Sequence, residues 1–549
     1  MAELRGVGVG RGIAAGVVLR MPEPLAPPST EPLVGDAADE TQRVQTALAE
    51  VAAELSERGR AAGGEAQEVL EAASLMAQDP ALADDIAGRI GQGTNGERAV
   101  HDAFDQFKTM LIALGGYMAE RATDLDDVSQ RVVARLRGVP APGVPESDVP
   151  FILVARDLAP ADTATLDLER TLALITQDGG PTSHTAILAR SKSITAVVGV
   201  EGLLGAVQDG TRVVVDAKTG AVTLDPSDAE VEAATAEAAS RAARADAPIT
   251  DGALADGTKI PLLANVGRPE DAAKALELGA EGVGLFRTEF LFLDAKQAPT
   301  VASQTDSYTR MLQAFEGKKV VVRVLDAGAD KPLAFLNDAE EENPALGLRG
   351  IRALRASEQI LRDQLEALAA ADAATNADLW VMAPMIANQE ETEYFVALGR
   401  EHGLKTVGAM AEVPSIAVLA DQVMEAADFV SIGTNDLTQY TFAADRMLGT
   451  VASFQDPWHP AVLRLIQLLG DAGTEAGKPV GVCGEAAADP ALAVVLVGLG
   501  VTTLSMSPAA FADVRAELLE HTIEQAKAKA AAALKATSAQ GARDAAAAA

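Results

Sequence analysis

Between residues 255 and 525, eight short apolar runs alternate with segments of helical periodicity: 262–265, 282–287, 320–326, 379–385, 407–412, 429–435, 480–485 and 502–507. Eight such units in roughly 280 residues match the size of a (β/α)8 barrel. In that fold the chemistry collects at the C-terminal strand ends. Those ends here hold Asn265, Arg287, Arg323 with Asp326, Glu412, Asn435 with Asp436, Cys483 with Glu485, and Ser505. A chance set of core strands would not finish so regularly in polar groups.

The remainder organises around two Pro/Gly-rich connectors, one at residues 22–28 and one at 138–149. Residues 1–20 read as a short strand pair. From 37 to 138 the apolar spacing is helical: Val44, Leu48, Val51 and Leu55, then Phe104, Phe107, Leu111 and Leu114. This predicts a helical bundle inserted into, or appended to, a neighbouring domain. Runs at 151–155, 172–176, 194–199, 212–216 and 221–224 predict an α/β domain, with Ala217-Lys218-Thr219-Gly220 as a hairpin turn. Residues 226–248 form a charged, Ala-rich connecting helix. Past Glu517 the sequence decays into an Ala/Lys-rich tail, expected to be a frayed helix or disordered. The boundaries are therefore 1–20 with 145–225, 21–144, 226–254, 255–525 and 526–549.

Composition narrows the function. A chain of 549 residues implies roughly three domains. A formal net charge of −34 argues against non-specific nucleic-acid binding and against an anionic membrane surface. A single cysteine rules out an intrachain disulfide framework and points to a reducing cytoplasm. There is no apolar stretch of about 18 residues and no signal-peptide core, so a soluble intracellular protein is expected.

Two regions carry chemistry. In the segment from Gly179 to Arg190, His184 follows a Gly-Gly turn and two N-cap candidates, Thr182 and Ser183. An imidazole at a helix N-terminus could attack phosphorus and leave a stabilised phosphoryl group. It could equally be a capping histidine, and these residues alone do not separate the two. At the barrel mouth, Arg287, Arg323, Arg349, Arg352 and Arg446, with Lys331 nearby, suit a ligand bearing phosphate and carboxylate. Glu412 and Asp436 offer carboxylate oxygens to Mg²⁺. Cys483 is either a small core hydrophobe or an acid. His101, His402, His459 and His521 read as structural, and no GxxxxGK[ST] phosphate loop occurs.

The segment Gly179-Gly180-Pro181-Thr182-Ser183-His184-Thr185 resembles the phosphohistidine motif of the Enzyme I family of the bacterial sugar phosphotransferase system. So do the barrel segments Gly282-Val283-Gly284-Leu285-Phe286-Arg287-Thr288-Glu289-Phe290, Asn343-Pro344-Ala345-Leu346-Gly347-Leu348-Arg349, Ser431 to Tyr440 and Cys483-Gly484-Glu485. The resemblance runs to about residue 525. It implies a swivelling phosphohistidine α/β domain (1–20 and 145–225), an inserted helical subdomain that binds the carrier HPr (21–144), and a phosphoenolpyruvate-binding barrel. It further implies that His184 takes the phosphoryl group from phosphoenolpyruvate and passes it to a histidine of HPr. Arg287, Arg323, Lys331, Arg349 and Arg446 would clamp the substrate, and Asn435 with Asp436 and the adjoining backbone would orient it. Glu412 and Asp436 would hold Mg²⁺, and Cys483 would protonate the enolate carbon. A homodimer through the barrel also follows. Pyruvate,phosphate dikinase and phosphoenolpyruvate synthase share these motifs but need a nucleotide-binding domain, for which no segment remains. The chain departs from the family pattern at Pro181, where many relatives have arginine, and at Val324, Ala327 and Ala329.

Overall fold

The eight apolar runs of the C-terminal half close on themselves. In the computed structural model, strands β9 (Leu262–Val266), β10 (Val283–Arg287), β11 (Lys319–Arg323), β12 (Asp378–Ala383), β13 (Val407–Ala411), β14 (Val430–Ile432), β15 (Val480–Val482) and β16 (Thr503–Met506) pair in sequence order, all parallel, with β16 returning to β9. The structure describes residues 3–549 apart from 11, 23–24, 63, 115–121, 140, 142, 146, 159–161, 163–165, 168–169, 181–182, 184, 187–188, 190–193, 246, 293–294, 296, 328–332, 334, 337–340 and 447. Helices between the strands bury their apolar faces against the outside of the barrel in one continuous core. Inside the barrel, Leu285, Val321, Met382, Met410, Phe429 and Cys483 form a separate small cluster. The middle of the barrel is thus packed with apolar side chains beneath a polar mouth.

Two corrections concern the edges of the sequence reading. The Ala-rich tail is ordered: helices Ile523–Ala533 and Ala539–Ala548 bury Ala526, Ala530, Ala533, Ala542 and Ala546. The physical reason is close approach. A Cβ at Gly498 would lie 2.1 Å from the carbonyl oxygen of Ala526, so helix Pro490–Gly498 and the tail meet almost backbone to backbone. Alanine suffices as a packing residue at that distance.

The N-terminal strands do not pair with one another. β1 (Glu3–Arg5) pairs with β8 (Ala221–Leu224), β2 (Val7–Val9) with β6 (Ala196–Val198), and β3 (Ile13–Arg20) with β4 (Phe151–Ala155) and β7 (Arg212–Asp216). With β5 (Thr171–Thr176) they make an eight-stranded mixed sheet, and β7 and β8 form the expected hairpin. Apolar side chains cover both faces of the sheet. Among the described residues, helices Ala37–Ala62, Gly64–Ala77, Pro80–Gly91, Gly96–Leu114 and Ala122–Arg137 intervene between β3 and β4 around a core of their own. The chain divides into two compact units at Ser240/Arg241, a cut that falls within helix Asp228–Ala245.

Candidate active site

The barrel strands deliver charged residues in pairs. Arg287 and Arg323 end β10 and β11 as register partners, so their guanidiniums leave the sheet side by side. Arg323 is buried, pairs with Glu289, and reaches Asp326 Oδ2 at 3.1 Å. Arg349 donates to both oxygens of Asp326, at 3.4 Å to Oδ1 and 3.2 Å to the Oδ2 that Arg323 also reaches. It also donates to Asp436 Oδ1 at 2.8 Å and to Tyr440 Oη at 3.0 Å. Arg446 reaches the second oxygen of Asp436 at 3.2 Å. Asp326 and Asp436 therefore each hold two guanidiniums in place. Burial works against the charge of Arg323 and Arg349, but the facing carboxylates outweigh it and hold both above the usual arginine range. Arg287 differs: it makes no ion pair among the described residues, and desolvation with the neighbouring Arg323 lowers its pKa.

Glu412 follows β13 and is buried. One oxygen accepts the N–H of Met385 at 2.6 Å. Met385 has φ +59°, a left-handed conformation costly for a non-glycine residue and maintained here by its surroundings. Gly433, at the end of β14, leaves room for this carboxylate: a Cβ there would lie 2.8 Å from Glu412 Oε2. Burial, then the neighbouring Asp436 and Asp326, push Glu412 up to about 8 against the pull of Arg323 and Arg349.

Cys483 closes the floor of this mouth. It is 3% exposed, its Sγ lies 3.5 Å from Ile432 O, and burial pushes the thiol up to about 11. Asn265 donates to Cys483 O at 2.9 Å, and Asn435 Oδ1 accepts the N–H of Glu485 at 3.1 Å. The strands thus bring together Arg287, Arg323, Arg349, Glu412, Asn435, Asp436, Arg446 and Cys483. Lys331 and His184 lie outside the described residues, as do Pro181, Thr182 and Ala329. Beside His184, Gly179 has φ +95°, Ser183 Oγ accepts the N–H of Ala186 at 3.3 Å as an N-cap would, and Thr185 donates to Asp157 at 3.0 Å.

Sequence reasoning missed the layer behind Arg323. Thr288 donates to the backbone oxygen of Arg323 at 2.9 Å. Gln364 donates to Thr288 and Tyr308 and accepts the N–H of Leu325 at 2.9 Å, while Tyr308 donates to Gln304. This buried network is hydrogen-bonded throughout and fixes the end of β11. Thr288, Glu289 and Tyr440 lay within recognised motifs, but Gln304, Tyr308 and Gln364 carried no signal.

The donor set suits a hard divalent cation. Glu412 and Asp436 supply carboxylate oxygens, and one oxygen of Glu412 has no hydrogen bond among the described residues. No three His, Cys, Asp or Glu side chains form a closed cage among the described residues. Cations of that class can bind through one or two carboxylates completed by waters and substrate oxygens. No helix among the described residues is long and apolar enough to cross a membrane.

Comparison with known proteins agrees along the whole chain. Residues 5–121 match the N-terminal domain of the PEP-utilising enzymes, 148–220 their mobile domain, and 241–523 their PEP-binding domain. The phosphoenolpyruvate-protein phosphotransferase of Streptomyces coelicolor is 52% identical over 546 residues, 99% of this chain and 98% of that relative. The protein of the same name from Bacillus subtilis is 39% identical, covering 96% of each. A solution structure of Enzyme I (nEIt) aligns over 43% of this chain and 98% of its own, at 31% identity and a TM-score of 0.39. With an arginine-lined mouth on a parallel barrel and full-length identity to these enzymes, the chain belongs to the phosphoenolpyruvate-protein phosphotransferases, the Enzyme I family of the phosphotransferase system.

Proposed function

We propose that this enzyme transfers the phosphoryl group of phosphoenolpyruvate to His184, releases pyruvate, and passes the phosphoryl group on to a histidine of the carrier HPr. The observation that carries the reading is the convergence of Arg287, Arg323, Arg349 and Arg446 on one barrel mouth, above Cys483 and beside Glu412. Phosphoryl transfer needs positioning and charge neutralisation more than covalent help. The arginines supply both, and Lys331, assigned to the clamp by the family resemblance, adds a further cation. Glu412 and Asp436 would hold Mg²⁺, which would neutralise charge on the substrate's oxygens.

His184 attacks phosphorus as the bond from phosphorus to the enolic oxygen breaks, and the electron pair leaves with the enolate of pyruvate. Cys483 then gives its proton to the enolate methylene carbon, and the thiolate regains one from solvent. A thiol held near 11 carries its proton at neutral pH, and because it is still a far stronger acid than the methyl group of pyruvate, transfer to the enolate carbon runs downhill. Asn435 and the adjoining backbone orient the substrate. The reaction requires His184 to visit the barrel mouth and then HPr, a gating motion of its domain. The helical insertion, whose exposed apolar side chains include Leu75, Met110 and Ile112, is the docking element for HPr. We read the enzyme as cytoplasmic and as a homodimer through the barrel.

Incubation with ³²P-labelled phosphoenolpyruvate and Mg²⁺, followed by peptide mapping, tests the reading. Label on His184, chased onto HPr with release of pyruvate and without ATP, is the expected result. Label at another residue, or a requirement for ATP, overturns it.

A further inference from the structure

The ordered tail reaches back to the loop that carries Asp456 and Trp458. Helix Ala539–Ala548 carries Arg543, whose two terminal nitrogens meet the two oxygens of Asp456 at 2.6 and 2.9 Å. The same guanidinium lies 5.4 Å from the centre of the Trp458 ring. A bidentate fork over an aromatic face is an interaction that only arginine provides. Asp456 also accepts the N–H of Trp458 at 3.1 Å.

From there the connections divide. The indole N–H of Trp458, a buried residue, donates to Asp489 Oδ2 at 2.8 Å. Asp489 caps helix Pro490–Gly498 and follows the turn Glu485–Ala488, which leads directly out of Cys483-Gly484. On the other side, Gln455 donates to Ala444 O at 2.6 Å. The N–H of Ala444 returns to Gln439 O, and Gln439 Oε1 accepts the N–H of Arg446 at 2.9 Å. One side chain of the tail therefore holds Asp456 and Trp458, whose segment connects onward through Gln455 to the stretch carrying Arg446 and through Trp458 to Asp489 at the end of the turn carrying Glu485.

We propose that Arg543 is a positioning residue for the reaction: through Asp456 and Trp458 it holds the Arg446 segment and the Cys483–Asp489 turn in register with each other. This rests on the reading of the barrel mouth as the phosphoenolpyruvate site. The tail is then part of the active-site scaffold.

The test uses the full chain with three substitutions: Arg543→Ala, Arg543→Lys, and Gln540→Ala as a control. Gln540 lies on the same helix and bonds to Asp544. In Arg543→Ala the KM for phosphoenolpyruvate should rise roughly three- to tenfold, as loss of an ion pair and a cation–π contact implies, with kcat changed less. Millimolar guanidinium should restore part of the loss, and Arg543→Lys should fall between, because it keeps the charge without the fork. Amide hydrogen exchange should quicken over 445–458 and 485–489 and stay unchanged in the barrel strands. Unchanged KM and exchange in Arg543→Ala would overturn the proposal. So would an equal effect in Gln540→Ala, or quickened exchange spread across the whole barrel. A wild-type enzyme that released no pyruvate would refute the reading of the site, while the exchange data would still decide the brace.

Discussion

Replacing Glu412 with glutamine should stabilise the metal-free enzyme while abolishing its chemistry. Glu412 is buried, faces Asp326 and Asp436, and has its pKa pushed up to about 8 from 4.5. The sign follows from linkage. The native state binds a proton that the unfolded chain has released, so the group costs nothing below about pH 4.5 and progressively more as pH rises to 8. At about 1.36 kcal/mol per unit, the cost is on the order of 3 kcal/mol at pH 7 and reaches its full value above pH 8. Glutamine removes the titration, and its side-chain oxygen still accepts the N–H of Met385. Calorimetric melting of both proteins in EDTA at pH 5, 7 and 8.5 measures the difference in barrel stability. The gap in favour of Glu412→Gln should be small at pH 5 and widen to a plateau. A gap independent of pH, or a variant less stable at pH 7, would refute the argument from burial and like charge. Pyruvate formation should collapse in the same variant, because a neutral amide is a poor ligand for Mg²⁺.

His184→Gln should lose all label from phosphoenolpyruvate yet still bind it, as read by protection of the barrel on titration with substrate. Cys483→Ala and Cys483→Ser should fold and bind substrate but form pyruvate roughly 10²–10⁴ times more slowly, the usual loss for an acid–base group. Near-normal turnover in both would return Cys483 to a packing role. The thiol's contribution to stability should be complete below about pH 9 and fade towards 11, because the folded pKa is the higher. Melting of wild type against Cys483→Ala across that range checks it. Residues 241–549 should fold and bind phosphoenolpyruvate alone, whereas the same fragment cut at 520 should aggregate on expression. Gly498→Val should lower the melting point of the full chain by the equivalent of roughly 1–3 kcal/mol, since its side chain collides with Ala526 O.

The barrel was legible because its strands are nearly continuous apolar runs ending in polar groups, a pattern local enough to read one unit at a time. The arginines were legible as a set for the same reason. Their carboxylate partners were less so: Arg323 and Glu289 are 34 residues apart, and Arg349 and Asp436 are 87 apart, so only closure of the barrel joins them. Gln364 was invisible because a buried glutamine on a helix differs from a solvent-facing one only in its neighbours. The tail was misread because its buried stripe, Ala526, Ala530 and Ala533, is made of a residue that hydropathy barely distinguishes from surface. The N-terminal strands were seen, but not their partners, which lie between about 130 and 220 residues away.

With Glu412 protonated at neutral pH, the four arginines of the mouth face three carboxylates, Glu289, Asp326 and Asp436, so the pocket holds little net positive charge before anything binds. It sits in a chain whose formal net charge is −34. A small trianion approaching from solvent therefore meets a repulsive far field and finds attraction only within contact distance of the guanidiniums. Arrival is set by screening: moderate salt should speed association rather than slow it, the opposite of a site that steers its substrate in. A divalent cation that enters with the anion lowers the same barrier by carrying part of the charge through the field.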